Sequence, residues 1–153
     1  MKKILFLLLL IPFFVFTGCG FSKGPCDVFD TNVEITYKNT EGLDLLNLST
    51  PNHFSADSMH LYNVVNGVKN EVYNGHYDNP RNFVIELNNG THIYYLAVSL
   101  EADTTLLQLN GHITDTITCD FSAGCNKIVN KVWYNGKLEW DNMSEPRAFT
   151  IIK

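Results

Sequence analysis

Beyond residue 30 the chain alternates between apolar and polar positions in short runs, each closed by a turn signal. VEITYK (33–38) puts Val33, Ile35 and Tyr37 on one face, the period of a half-buried strand. HLYNVV and VKNEVY flank Asn66-Gly67, VWY and KLEW flank Asn135-Gly136, and IEL and THIYYLAV flank Asn88-Asn89-Gly90. Asn-Gly suits hairpin turns because both residues tolerate positive φ, and turns of that hand match the twist of strands. TTLLQL, HITDTITCDF and AFTIIK add further β-rich segments. No amphipathic helix emerges, although Pro51 to Ser58 leaves room for one helical turn. About nine short strands predict an all-β fold, an antiparallel β-sandwich of immunoglobulin-like or transthyretin-like type.

The same alternation predicts registers. At Asn88-Asn89-Gly90, a three-residue loop with Gly90 left-handed sets Ile85 opposite Ile93 and Phe83 opposite Tyr95. Phe83, Ile85, Leu87, Ile93 and Tyr95 then share the core face, and Glu86 meets His92 on the other. A two-residue Asn135-Gly136 turn sets Trp133 opposite Leu138 and Lys131 opposite Trp140. Trp133, Trp140, Leu138 and Val129 would then form core, with Tyr134 facing outward and the Lys131 stem over Trp140.

The start of the chain changes the picture of where this domain lives. Lys2 and Lys3 precede an apolar run, Ile4 to Phe16, shorter than the roughly 20 residues of a membrane span. Phe16-Thr17-Gly18-Cys19 resembles the lipobox of bacterial lipoproteins, with Phe16 where leucine is usual. The resemblance implies cleavage before Cys19 and acylation of that cysteine. The expected organisation is a signal peptide at 1–18, a lipidated cysteine and flexible tether at 19–31, and one β-sandwich domain at 32–153. The lipid attaches the chain to the membrane, and the expected location is the cell envelope at the outer membrane, in either leaflet. The formal net charge of −5 becomes more negative once Lys2 and Lys3 are removed. With no basic cluster, nucleic acid is not an expected partner.

Candidate chemistry is sparse. Cys119 and Cys125 bracket a short connection and are a candidate cross-strand disulfide; bonds from Cys26 to either one, or three free thiols, are the alternatives. No Cys-x-x-Cys or zinc spacing occurs. His53, His60, His76, His92 and His112 are scattered, and no metal or cofactor is expected. Asp57, Asp103, Asp115 and Asp120 are carboxylates available for acid–base work, without a spacing that pairs them. Glycine-loop and nucleophile-elbow motifs are absent, so no catalytic residue is assigned.

EGLDLLNLSTPN (41–52), DTITC (115–119) and KVWYNGKLEW (131–140) resemble small cell-envelope lipoproteins of gut Bacteroidota. The resemblance implies an envelope lipoprotein with a β-rich domain, and no established activity. It further implies candidate O-glycosylation at Asp-Ser/Thr sites, here Ser58, Thr104 and Thr116; the sequons at Asn47, Asn89 and Asn142 are taken as chance. The expected function is a non-catalytic binding or accessory domain for an envelope protein partner. One alternative is a glycan-binding module using Tyr62, Tyr73, Tyr77, Tyr134 or a tryptophan; another is a hydrolase with a non-standard site.

Overall fold

The computed structural model describes residues 28–143 and 146–153; the signal segment, Cys19 and Cys26 lie outside them. The described chain forms β1 (Phe29–Asp30), β2 (Asn32–Lys38), β3 (His60–Val65), β4 (Val68–Glu71), β5 (Phe83–Asn88) and β6 (Ile93–Ser99). It continues through β7 (Thr104–Gln108), β8 (Thr114–Phe121), β9 (Lys127–Tyr134), β10 (Lys137–Asp141) and β11 (Ala148–Ile152). A single 3-10 turn, Ala56–Ser58, interrupts the strands. The fold is all-β. One seven-stranded sheet runs β1-β9-β8-β7-β3-β4, with β10 on the β1 edge of β9, and a four-stranded sheet runs β11-β2-β6-β5.

The hairpins are antiparallel, as their short turns require. Asn66 (φ 52°) with Gly67 (φ 77°), and Asn135 (φ 49°) with Gly136 (φ 81°), hold the left-handed pairs that a two-residue hairpin turn needs. Two pairings are parallel, β1 with β9 and β11 with β2, because long excursions bring those strands to a sheet edge and impose no direction. The sheets are therefore mixed rather than wholly antiparallel. Phe29 and Asp30, expected at the end of the tether, are recruited into the larger sheet.

Both sheets contribute their inner faces to one core. Val33, Ile35 and Tyr37 of β2 and Leu96 and Val98 of β6 meet Leu61, Leu107, Ile117, Val132 and Tyr134 from the opposite sheet. The long β2–β3 connection covers one end of this core with Leu45, Leu46, Phe54 and Met59. Arg81 fastens that connection, donating from Nη1 to the carbonyls of Ala56 at 3.0 Å and Met59 at 3.2 Å. Arg147 does the same at the other side. It forms a two-pronged pair with Asp30 (2.8 and 3.0 Å), donates to the Asn32 carbonyl at 2.9 Å, and lies 4.9 Å over the Trp140 ring.

Two registers differ from the alternation reading. In the β5–β6 hairpin Ile85 pairs with Leu96 and Glu86 with Tyr95. The loop is longer than expected because the Asn88 side chain accepts from the Gly90 and Thr91 amides, and His92 (φ 57°), not Gly90, takes the left-handed position. Tyr94, Leu96 and Val98 consequently face inward and Tyr95 outward. In the β9–β10 hairpin Leu138 does oppose Trp133, but a bulge at Glu139 sets Trp140 opposite Val132 and Asp141 opposite Lys131. A second bulge, at Asn130, separates the Val129 and Lys131 pairings with β8. Each extra residue inverts the facing of the strand beyond it. Trp140 (4% exposed) and Tyr134 are core, while Trp133 and Leu138 face outward. The cation over Trp140 is Arg147, not Lys131.

Candidate functional site

Polar chemistry concentrates in two places. The first lies between the sheets. Asp115 on β8 is 4% exposed and accepts four hydrogen bonds from three donors: Tyr134 Oη at 2.6 Å, Asn135 Nδ2 at 2.7 Å, and Lys153 Nζ at 2.6 and 2.5 Å from its two oxygens. Tyr37 from the four-stranded sheet joins through its hydroxyl, 3.0 Å from that of Tyr134. Asn135 also accepts the Thr116 amide at 2.8 Å, so one turn residue shapes the hairpin and orients the carboxylate. Lys153 is delivered by β11, whose ladder beside β2 continues as a bond from the Lys153 amide to the Lys38 carbonyl.

Burial pushes the Asp115 carboxyl up, but the bonds from Lys153, Tyr134 and Asn135 outweigh it and hold it below the ordinary carboxylate range. Burial pushes the Tyr37 and Tyr134 phenols up, so both remain protonated donors. The cluster resembles a proton-transfer site in composition. Yet both Asp115 oxygens are already paired with donors of the chain itself, and the carboxylate is buried. It is a polar tie between the sheets.

The second place is the outer face of the four-stranded sheet. A furrow of about 440 Å³ runs across β2, β6 and β5, walled by the β4–β5 loop. Alternation aims Asn32 and Glu34 of β2, Tyr95 of β6 and Glu86 of β5 outward into it, and Tyr77 and Asn82 line it from the loop. Tyr95 donates to Glu86 at 2.6 Å; that bond first, then burial, raises the Tyr95 phenol to about 12. Among the described residues, no basic side chain lines the furrow. A smaller cleft of about 300 Å³ lies against the same loop and shares Tyr77 and Asn82, adding Tyr73. The loop holds its own shape: Asn74 donates to the Pro80 carbonyl at 2.7 Å, its side chain accepts the His76 amide, and its carbonyl accepts the Tyr77 amide.

The residues singled out by sequence divide between these regions and elsewhere. Among the tyrosines considered for ligand contact, Tyr134 is buried and Tyr62 is covered by the Lys69 ammonium, 3.6 Å from its ring. Tyr73 and Tyr77 are exposed. Asp103 and Asp120 are exposed and line a separate shallow cleft with Lys131. His60 pairs with Glu71 at 2.7 Å on the surface, and His53, His76, His92 and His112 sit in turns and loops. No group of three potential metal ligands occurs among the described residues. Ser58 is exposed and donates to the Ser55 carbonyl; Thr104 and Thr116 stand half-exposed on the outer face of the larger sheet.

The Cys119–Cys125 disulfide does not form. Cys119 is a buried free thiol opposite Val132, in hydrogen-bond contact with the Ala102 carbonyl. The Asn130 bulge and the strand register carry Cys119 into the core, whereas Cys125 lies in the exposed β8–β9 loop. Cys125 is disulfide-bonded.

Sequence reasoning missed the furrow's Asn32, Glu34, Asn82, Glu86 and Tyr95. Glu34 and Glu86 were legible as polar-phase residues of alternating strands; Tyr95 was not, because the assumed loop turned it inward. No protein-family model matches the chain, and no curated protein or solved structure does either.

Proposed function

We propose that this chain is a non-catalytic binding or accessory domain of a bacterial cell envelope, anchored by lipid at Cys19 to the outer membrane. The observation that carries the binding role is the furrow: a concave, polar face whose wall is held rigid by its own hydrogen bonds. Internal pairing consumes the Asp115 cluster, which would otherwise be the best acid–base candidate. The furrow's carboxylates, Glu34 and Glu86, stand on strands separated by β6, and Glu86 is already held by Tyr95. Recognition fits this arrangement better than proton transfer. The anchor rests on the lipobox-like Phe16-Thr17-Gly18-Cys19.

The test is crosslinking of the full-length protein in its native cells, followed by mass spectrometry of the species that co-purify. A reproducible partner or glycan, recovered less well with Tyr77→Ala, is the expected result; recovery of the protein alone overturns the binding role. Metabolic labelling with a palmitate analogue, abolished by Cys19→Ala, checks the anchor separately.

A further inference from the structure

Resting on the binding role above, we propose that the furrow takes a neutral oligosaccharide chain, with one sugar ring stacked on Tyr77. Four features on the same face lead there. The first is size: about 440 Å³ in the furrow falls within the range of small-ligand sites, and the adjoining cleft of about 300 Å³ lets a chain continue past Tyr77. A lone small molecule would need only one of the two. The second is the donor and acceptor set. Asn32 and Asn82 offer planar amides and Glu34 and Glu86 carboxylates, which together answer the mixed donor–acceptor pattern of neighbouring sugar hydroxyls.

The third feature is charge. Among the described residues the furrow is lined by two carboxylates and no basic side chain, so an anionic ligand meets repulsion without a compensating pair. The fourth is the aromatic. Tyr77 is 60% exposed and no core contact requires it, yet its backbone is fixed through Asn74, so little loop ordering remains to be done on binding. The Tyr95 hydroxyl, across the strand pair from Glu86, donates to it and leaves that carboxylate further acceptor sites for a ligand. Neither tryptophan lines the furrow, so tryptophan fluorescence is the wrong reporter.

The experiment uses the full-length protein in detergent micelles. It is titrated calorimetrically with neutral gluco-, manno- and xylo-oligosaccharides, and with oligogalacturonate as the anionic probe. At least one neutral series binds, Tyr77→Ala weakens it by about ten-fold, the scale of losing one anchoring aromatic, and Tyr77→Phe leaves it within about two-fold because the ring remains. Binding of no neutral series, preference for oligogalacturonate, or indifference to Tyr77→Ala overturns the proposal. A protein partner that still crosslinks in cells and depends on Tyr77 would overturn the glycan while leaving the binding role standing; absence of both would remove both.

Discussion

The sealed cluster and the open furrow are built from nearly the same side chains. Each has tyrosine, carboxylate and asparagine, and in each a tyrosine donates to the carboxylate at 2.6 Å. The difference lies in how many of the carboxylate's needs the chain itself meets. Asp115 lies between sheets, where an unmatched charge is costly, and accepts four hydrogen bonds, two of them from an ammonium. Glu86 is exposed and receives one from Tyr95, with solvent or a ligand left to supply the rest. Composition does not distinguish a structural tie from a recognition surface; unmet hydrogen-bonding capacity at a concave surface does.

The comparison breaks most readily at Lys153. Lys153→Met should leave the Asp115 charge buried and uncompensated, costing about 3 kcal/mol, the low end for breaking a buried pair because the lysine is partly solvated. Urea unfolding at neutral pH measures this. A loss below roughly 0.5 kcal/mol, the level of an ordinary surface change, would mean that the ammonium is not a structural partner. Tyr134→Phe should cost about 1.5–3 kcal/mol, since it removes a hydrogen bond to a charged acceptor. It also leaves Tyr37 without its buried partner.

Acid should act on the same cluster. The folded-state pKa of Asp115 is depressed, so its contribution is fully present above the unfolded value of about 4 and is lost as pH falls through the lower folded value. Unfolding free energy should therefore drop below about pH 4. Asp115→Asn should be less stable than the parent at pH 7, with a flatter acid limb. A mutant curve that merely runs parallel to the parent's would assign the acid sensitivity to other carboxylates.

The cysteines sharpen the contrast between buried and surface chemistry. Burial pushes the Cys119 thiol up to about 12, so iodoacetamide at pH 8 should modify it only after unfolding. Cys125 should react only after reduction. Peptide mapping of native, unfolded and reduced samples separates the two; labelling of Cys119 in the native protein would contradict its buried place opposite Val132.

Much of the architecture was legible in the chain, and its failures have specific causes. Alternation located the strands, placed Val33, Ile35 and Tyr37 on the inner face, and marked both Asn-Gly hairpins. It misread Trp133, Leu138, Tyr134 and Tyr95 because alternation counts residues without seeing an insertion. The bulges at Asn130 and Glu139 carry no glycine or proline to announce them, and the β5–β6 loop is lengthened by a side chain, Asn88. The Asp115 cluster was hidden for another reason: Tyr37, Asp115, Tyr134 and Lys153 are distant in sequence and meet only when both sheets have formed. The furrow was half visible, through Glu34 and Glu86.

The smallest expected effect is the most discriminating. If the furrow is shaped for something outside the chain, removing its side chains should barely touch stability. Tyr77→Ala deletes an aromatic ring that is 60% exposed and leaves the Asn74 bonds that hold the loop. Glu86→Gln keeps an acceptor for the Tyr95 hydroxyl. Each should shift unfolding free energy by no more than about 0.5 kcal/mol, the range for surface sites without a structural task. Urea curves with the midpoint and slope of the parent would place these residues outside the folding problem, leaving recognition as the role their position serves. A Tyr77→Ala cost above about 1.5 kcal/mol, on the scale of Tyr134→Phe, would make Tyr77 a packing residue and erase the distinction between the two regions.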